Sequence, residues 1–199
     1  MISFIDAILS IDAGVIYWIY QTGGNSLFDV IAVAFSYIGT YRLIAFLLCV
    51  FFWTKKETRQ ITVVLFVSII VSGLLVGLIK EIADRPRPYI MLGLTAADML
   101  VYTNPYVSFV SGHATSAFVT AAAISYYFRK WLIPAVLTAC AAGLSRIYLL
   151  VHYPSDVAAG AIFGVFVFFV VLFIFKRLQK YGNNQISDKS VANQQIRIE

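Results

Sequence analysis

Near-continuous apolar stretches recur along this chain, at Leu43–Trp53, Ile61–Ile79, Ala114–Phe128, Trp131–Leu144 and Val157–Phe175, and they limit what it can fold into. Crossing roughly 30 Å of hydrocarbon takes about 20 helical residues at about 1.5 Å each. A single anchor would need only one such run. Their recurrence predicts an all-α, polytopic membrane helical bundle. Composition agrees: 60% of the 199 residues are hydrophobic and 13% are charged, whereas soluble domains are about 25% charged. Five or six spans use up the chain as far as residue 180. A single membrane-embedded domain over 1–180 is therefore expected, with no separate soluble domain.

The segments differ in how firmly they read. Ile2–Tyr20 is apolar but carries Asp6, Ser10 and Asp12, and it ends in the turn-forming run Gly23-Gly24-Asn25. Carboxylates six residues apart fall on different helical faces. This segment is expected as an N-terminal interfacial helix beside five transmembrane helices, with a sixth span as the alternative. Leu27–Trp53 is the first firm span, kinked near Gly39-Thr40, with Arg42 snorkelling to an interface. Gly73 with Gly77, and Gly160 with Gly164, have the spacing that lets helices approach closely, a weak signal for a dimer. The segment Lys80–Ser111 contains Pro86, Pro88, Gly93 and Pro105, so it is read as the one sizeable extramembrane loop. Beyond Lys180 the residues Tyr181–Glu199 are rich in Asn, Gln and Ser without apolar periodicity, which predicts a disordered cytoplasmic tail over 181–199.

The net charge of +5 does not imply nucleic acid, because the basic residues sit in short clusters between apolar runs. They read as a topology signal. Lys55, Lys56, Arg59, Arg129, Lys130, Lys176, Arg177 and Lys180 gather on one side, which the positive-inside rule makes cytoplasmic. Trp53 and Trp131 flank that side as interface anchors. The N-terminus has no basic n-region or small-residue cleavage site, so insertion is expected to rely on the helices themselves. Cys49 and Cys140 lie in apolar runs with no metal-ligand spacing and read as small buried hydrophobes.

Three stretches far apart in sequence then meet on the outer side: Lys80–Pro88, Ser111–His113 and Ser145–Asp156. They hold both histidines of the chain, His113 and His152. In the first, cations stand where a helix ends and two prolines stiffen the exit, which suits a clamp for an oxyanion or phosphate. In the second, Ser111-Gly112-His113 opens a helical span, where backbone N–H groups and the helix dipole favour an anion. In the third, Asp156 follows His152 by four residues, near enough to hold one ring nitrogen and aim the other at an electrophile. Each stretch alone has an ordinary explanation: a snorkelling basic boundary, a helix cap, and a capping aspartate beside a chance histidine. Their convergence does not.

Together they follow the pattern K-x6-RP, PSGH and S-R-x5-H-x3-D, and here the chain resembles the type 2 phosphatidic acid phosphatase superfamily of lipid phosphate phosphatases. Lys80, Arg87 and Pro88 match the first part, and Ser145, Arg146, His152 and Asp156 match the third. Ser111, Gly112 and His113 match the second, with Val110 in place of its proline. The resemblance implies a chloroperoxidase-like helical core and hydrolysis of a lipid phosphate without metal or cofactor. It further implies that His152 attacks phosphorus, Asp156 orients it, and His113 protonates the leaving oxygen and then activates water. Lys80, Arg87, Arg146, Ser111 and Gly112 would bind the phosphate oxygens. An outer-face site suits a polyprenyl diphosphate, with phosphatidylglycerophosphate and phosphatidic acid as alternatives. A transporter is the reading from another class, and a haloperoxidase shares the superfamily. Polar residues gathered at one end of the spans weigh against the first, and the apolar composition against the second.

Overall fold

The computed structural model describes residues 4–38, 50, 53, 58–101 and 103–195, with side chains as far as 183. Arg42, Cys49, Lys55, Lys56 and the Gly39-Thr40 kink lie outside the described residues. The helices are α1 (Phe4–Thr22), α2 (Ser26–Ile38), α3 (Arg59–Ala83), α4 (Pro88–Met91), α5 (Gly112–Tyr127), α6 (Leu132–Tyr148) and α7 (Pro154–Gln195), with short 3₁₀ turns at Ala96–Asp98 and Arg129–Trp131. No strand occurs among the described residues. The fold is the expected all-α membrane bundle.

Local chemistry sets the breaks. Helix α3 ends where Asp84 adopts a left-handed conformation (φ 39°) and its N–H returns to the Lys80 carbonyl, just ahead of Pro86 and Pro88. Pro88 opens α4 at a first-turn position, where a missing N–H costs nothing. Ser111 caps α5 by accepting from the Ala114 N–H. The interval between α3 and α5 is therefore broken into short pieces, as its prolines require.

Helix α5 lies at the centre, packed by α3, α6 and α7, while α2 packs on α6. Its sequence explains the position. Ala114, Thr115, Ala117, Thr120, Ala121 and Ala123 are all buried, so small residues ring the helix and neighbours can approach on every side. On α7, a Cβ at Gly160 would meet the Ser111 carbonyl oxygen at 2.7 Å, and one at Gly164 would meet the Thr115 carbonyl oxygen at 2.4 Å. That glycine pair is used within the chain. Gly73 and Gly77 differ from the expectation of a close helix contact, for a Cβ at either would have nothing within 4 Å.

Val64, Leu65, Val119, Phe168 and Leu172 form a core between α3, α5 and α7. Outside it the polarity is inverted relative to a soluble protein. Leu74, Leu78, Ile133, Leu137, Ile162, Phe166 and Phe173 are exposed, while Ser68, Ser72, Thr115 and Thr120 are buried. Hydrocarbon, and not water, is the solvent that suits such a surface. Three helical stretches among the described residues are long and apolar enough to cross a membrane: Arg59–Met91, Arg129–Tyr148 and Pro154–Asn183.

Two findings concern the ends of the chain. Asp6 on α1 is exposed, whereas Asp12 is 2% exposed, next to an Ile16 buried against Ile147 and Tyr153. The two faces separate as expected, but the helix is docked on the bundle by a buried carboxylate. The backbone of α7 is helical as far as Gln195. A span that is already helical has met the nucleation cost, so each added residue gains a hydrogen bond for its ordering.

The glycine geometry yields a test. Gly164→Ala is expected to lose about 1–3 kcal/mol of stability through overpacking against Thr115. Gly73→Ala, entering open space, is expected to be neutral or to gain about 0.5–1 kcal/mol. Thermal melting of the purified variants in one detergent checks both signs; equal melting would refute the packing argument.

Candidate active site

Where α3, α5 and the α6–α7 connection approach one another there is a cavity of about 300 Å³ lined by Gly73, Val76, Gly77, Lys80, Arg87, Thr103, Gly112, His113, Ser116, Arg146 and His152. Six of the eight residues singled out from the sequence are on this wall. Asp156 stands behind His152, and Ser111 is fully buried beneath the start of α5, its Oγ accepting from Ala114 N at 3.4 Å. The bare glycines of α3 leave the apolar side of the cavity open.

His152 is 2% exposed. Its Nδ1 lies 3.5 Å from Asp156 Oδ2 and 3.4 Å from Ser108 Oγ. A carboxylate on that side assigns the ring proton to Nδ1 and leaves Nε2 as the lone pair. Nε2 in turn lies 3.3 Å from Arg87 Nη1, facing the cavity. Burial pushes the His152 imidazole down to about 3; the hydrogen bond with Asp156 opposes this and the Arg87 and Lys80 charges add to it. At neutral pH the ring is uncharged, as a nucleophile or base requires.

Asp156 is 0% exposed and every side of it is met. Ser108 Oγ donates to Oδ2 at 2.5 Å and the Tyr153 N–H does so at 3.0 Å, while Arg85 Nη1 donates to Oδ1 at 2.6 Å. The Arg85 guanidinium also stacks 4.0 Å over the Tyr153 ring. Arg85 therefore backs the aspartate and is absent from the cavity wall.

The three cations of the wall are held by dipoles. Lys80 Nζ donates to the Val107 carbonyl at 2.6 Å, and Arg87 donates through Nε to Asn104 O at 2.6 Å and through Nη1 to Val151 O at 2.5 Å. Arg146 Nη1 donates to Ser36 Oγ of α2, and its buried Nε has no partner among the described residues. None of the three is within ion-pair distance of a carboxylate among the described residues. Their charge is thus uncompensated locally, and a polyanion is the ligand that would compensate it. The same donor set fits a metal ion poorly, since cations repel it, and no group of three metal-ligating side chains occurs among the described residues.

This arrangement of lysine, two arginines, two histidines and an aspartate on helix ends is the one the sequence pattern implied, and the comparisons decide the family. The PAP2 superfamily model matches residues 61–180. This chain belongs to the PAP2 superfamily. A lipid A 1-phosphatase of Rhizobium johnstonii is 31% identical over 57% of this chain and 47% of its own length. An undecaprenyl-diphosphatase, BcrC of Bacillus subtilis, is 29% identical over 73% of this chain and 74% of its own. The chain thus spans about half the length of the first of these relatives. Among solved structures, Aquifex aeolicus LpxE is similar with a TM-score of 0.69 and 28% identity, over 81% of this chain and 94% of that one.

Some residues around this cavity were not foreseen. Asp12, Ser36, Asn104 and Ser108 each contact a residue of the three motifs or its direct partner, and Arg85, one of the cations of the first stretch, serves Asp156 and not the cavity. A carboxylate in an apolar helix was the one available signal, for such a charge persists only when paired. The serines and Asn104 carry no pattern. Val110, where the family motif has proline, is 3% exposed, and its side chain is absent from the cavity wall.

Arg87 offers a direct test of the cavity. Lysine cannot reproduce a fork that serves Asn104 O, Val151 O and His152 at once. Arg87→Lys is expected to weaken orthovanadate binding at least tenfold and to cost about 1–3 kcal/mol for each carbonyl left unpaired. Titration calorimetry and thermal melting of the same preparation measure the two; undiminished vanadate affinity would remove Arg87 from the anion site.

Proposed function

We propose that this chain is a membrane lipid phosphatase that works through a phosphohistidine at His152, with a polyprenyl diphosphate as its preferred substrate. The observation carrying the reading is a neutral buried imidazole whose free nitrogen faces a cavity with three uncompensated cations. The family supports the phosphatase activity. The undecaprenyl-diphosphatase relative, aligned over about three quarters of each chain, supports the polyprenyl substrate. The apolar, open wall at Gly73, Val76 and Gly77 is where a lipid chain would leave the phosphate site.

In the first step Nε2 of His152 attacks phosphorus, an N–P bond forms and the bond to the leaving oxygen breaks. His113, at the start of α5, gives that oxygen its proton. Asp156 fixes the Nδ1 tautomer and balances the positive ring charge that develops. In the second step a water attacks phosphorus and His113 takes its proton, so that the N–P bond breaks and inorganic phosphate leaves. Lys80, Arg87, Arg146 and the N-terminus of α5 at Gly112 stabilise the equatorial oxygens throughout. Ser111 serves by capping that helix start. Three cations perform the neutralising work of a metal, so no metal is needed.

His152→Ala is expected to abolish turnover of lipid and artificial substrates alike. His113→Ala is expected to lose about 10²- to 10⁴-fold with a lipid phosphate and to recover partly with p-nitrophenyl phosphate, whose leaving group needs no proton. Rapid quench with ³²P-labelled substrate should trap an acid-labile, base-stable label carrying phosphate on Nε2, because Nδ1 faces Asp156. With the imidazole uncharged above about pH 3, kcat/KM should show no acid limb belonging to His152 between pH 5 and 8. Label persisting in His152→Ala would move the nucleophile elsewhere, and activity lost to a chelator and restored by a divalent ion would refute the metal-free reading. Rates for undecaprenyl diphosphate, lipid A, phosphatidylglycerophosphate and phosphatidic acid in one detergent rank the substrates.

The same reading includes an outward-facing site, supported by the clustering of Arg129, Lys130, Lys176, Arg177 and Lys180 at the opposite end of the spans. After replacement of Cys49 and Cys140, a membrane-impermeant maleimide should modify Ala97→Cys in intact cells and leave Asn183→Cys unmodified. The reverse labelling would invert the orientation.

A further inference from the structure

Helix α1 lies outside the stretch 61–180 that the family model matches, yet it reaches the back of the site. Its Asp12 is 2% exposed. Asp12 Oδ2 accepts from Arg85 Nη2 at 2.7 Å and from the Ser155 hydroxyl, and Oδ1 accepts from the Ser155 N–H at 2.9 Å. The other end of the Arg85 guanidinium donates from Nη1 to Asp156 Oδ1 at 2.6 Å and to Ser155 Oγ at 2.8 Å. The second oxygen of Asp156 is the one 3.5 Å from His152 Nδ1. A continuous line of charge therefore runs from Asp12 through Arg85 and Asp156 to His152.

Two consequences follow from elementary electrostatics. An arginine beside a lone carboxylate tends to engage both oxygens in a fork, and here that would draw Asp156 Oδ2 away from the histidine. Asp12 occupies Nη2 and limits Arg85 to one oxygen of Asp156. Without Asp12 the Arg85–Asp156 pair would also be neutral overall, leaving nothing to balance a positive imidazole. With it the cluster carries a net negative charge.

We propose that Asp12 is a positioning residue for the phosphatase reaction, holding Arg85 to a single bond so that Asp156 keeps its second oxygen and its charge for His152. The proposal rests on the reading of His152 as nucleophile. Its rival is that Asp12 only fastens α1 to α7, and the two differ in what the removal of Arg85 does. If Asp12 acts by restraining Arg85, it becomes dispensable once Arg85 is gone.

The experiment is a double-mutant cycle on the full chain in detergent, with p-nitrophenyl phosphate as substrate. Asp12→Asn, close to isosteric, is expected to lower kcat on the order of tenfold or more, as loss of a supporting partner commonly does, with KM changed less than about twofold. Asp12→Asn in an Arg85→Gln background should cost less than about threefold relative to Arg85→Gln alone. That second comparison stands even if Asp12→Asn by itself fails to fold, because the double variant leaves no unpaired buried cation. The same loss in both backgrounds, or a change in KM alone, would overturn the proposal in favour of a tether. A wild-type chain that hydrolyses neither p-nitrophenyl phosphate nor any lipid phosphate would overturn the phosphatase reading and this inference with it, and the wild type alone reveals that outcome.

Discussion

Asp156 is a carboxylate with no exposure, and the site is organised around satisfying it. A charge withdrawn from solvent persists in a fold only where its oxygens are hydrogen-bonded or paired. Its donors come from separate parts of the chain: Arg85 from the exit of α3, Ser108 from the approach to α5, and the Tyr153 N–H from the α6–α7 connection. The backbone joins in, since Ser111 N–H donates to the Asp156 carbonyl at 3.1 Å. Loss of a donor weakens the satisfaction of a buried oxygen, and loss of Arg85 leaves Oδ1 without its donor, so the loops are held in register by the needs of this one residue. The geometry that aims His152 is a by-product of the same demand.

The cations obey the opposite rule. Arg85, which does not face the cavity, is paired with two carboxylates, whereas Lys80 and Arg87 are bonded to carbonyl oxygens and Arg146 to a hydroxyl. Dipoles fix the position of a cation and leave its net charge available, while a carboxylate cancels it. The difference separates the residues proposed to bind an anion from the residue proposed to tune a neighbour. The K-x6-RP spacing picks out Arg87, and Arg85, two residues earlier across Pro86, is seen to serve Asp156 only once its partners are known.

That contrast also explains how far the sequence could be read. The all-α membrane bundle, the broken interval between α3 and α5, and the meeting of the three motifs were legible because each depends on local pattern: apolar runs, prolines, and side chains at fixed offsets from helix ends. Ser108, Asn104 and Ser36 were not, since a lone polar residue acquires meaning only from what a distant segment brings against it. Asp12 stood between. Its cost inside an apolar helix was visible, but its partner Arg85 was not.

Close packing of α7 on α5 is what turns these separate features into one site. Gly160 permits the α7 backbone to pass against the Ser111 carbonyl, where a Cβ would lie at 2.7 Å. Ser111 precedes His113 by one turn-starting residue, and Asp156 precedes Gly160 by one turn. The approach therefore brings the two helix beginnings together, one carrying His113 and the other Asp156 with His152 just ahead of it. A side chain at position 160 would push the histidines' supports apart without altering the identity of any motif residue. The glycine belongs to the chemistry for that reason, although it contributes no functional group.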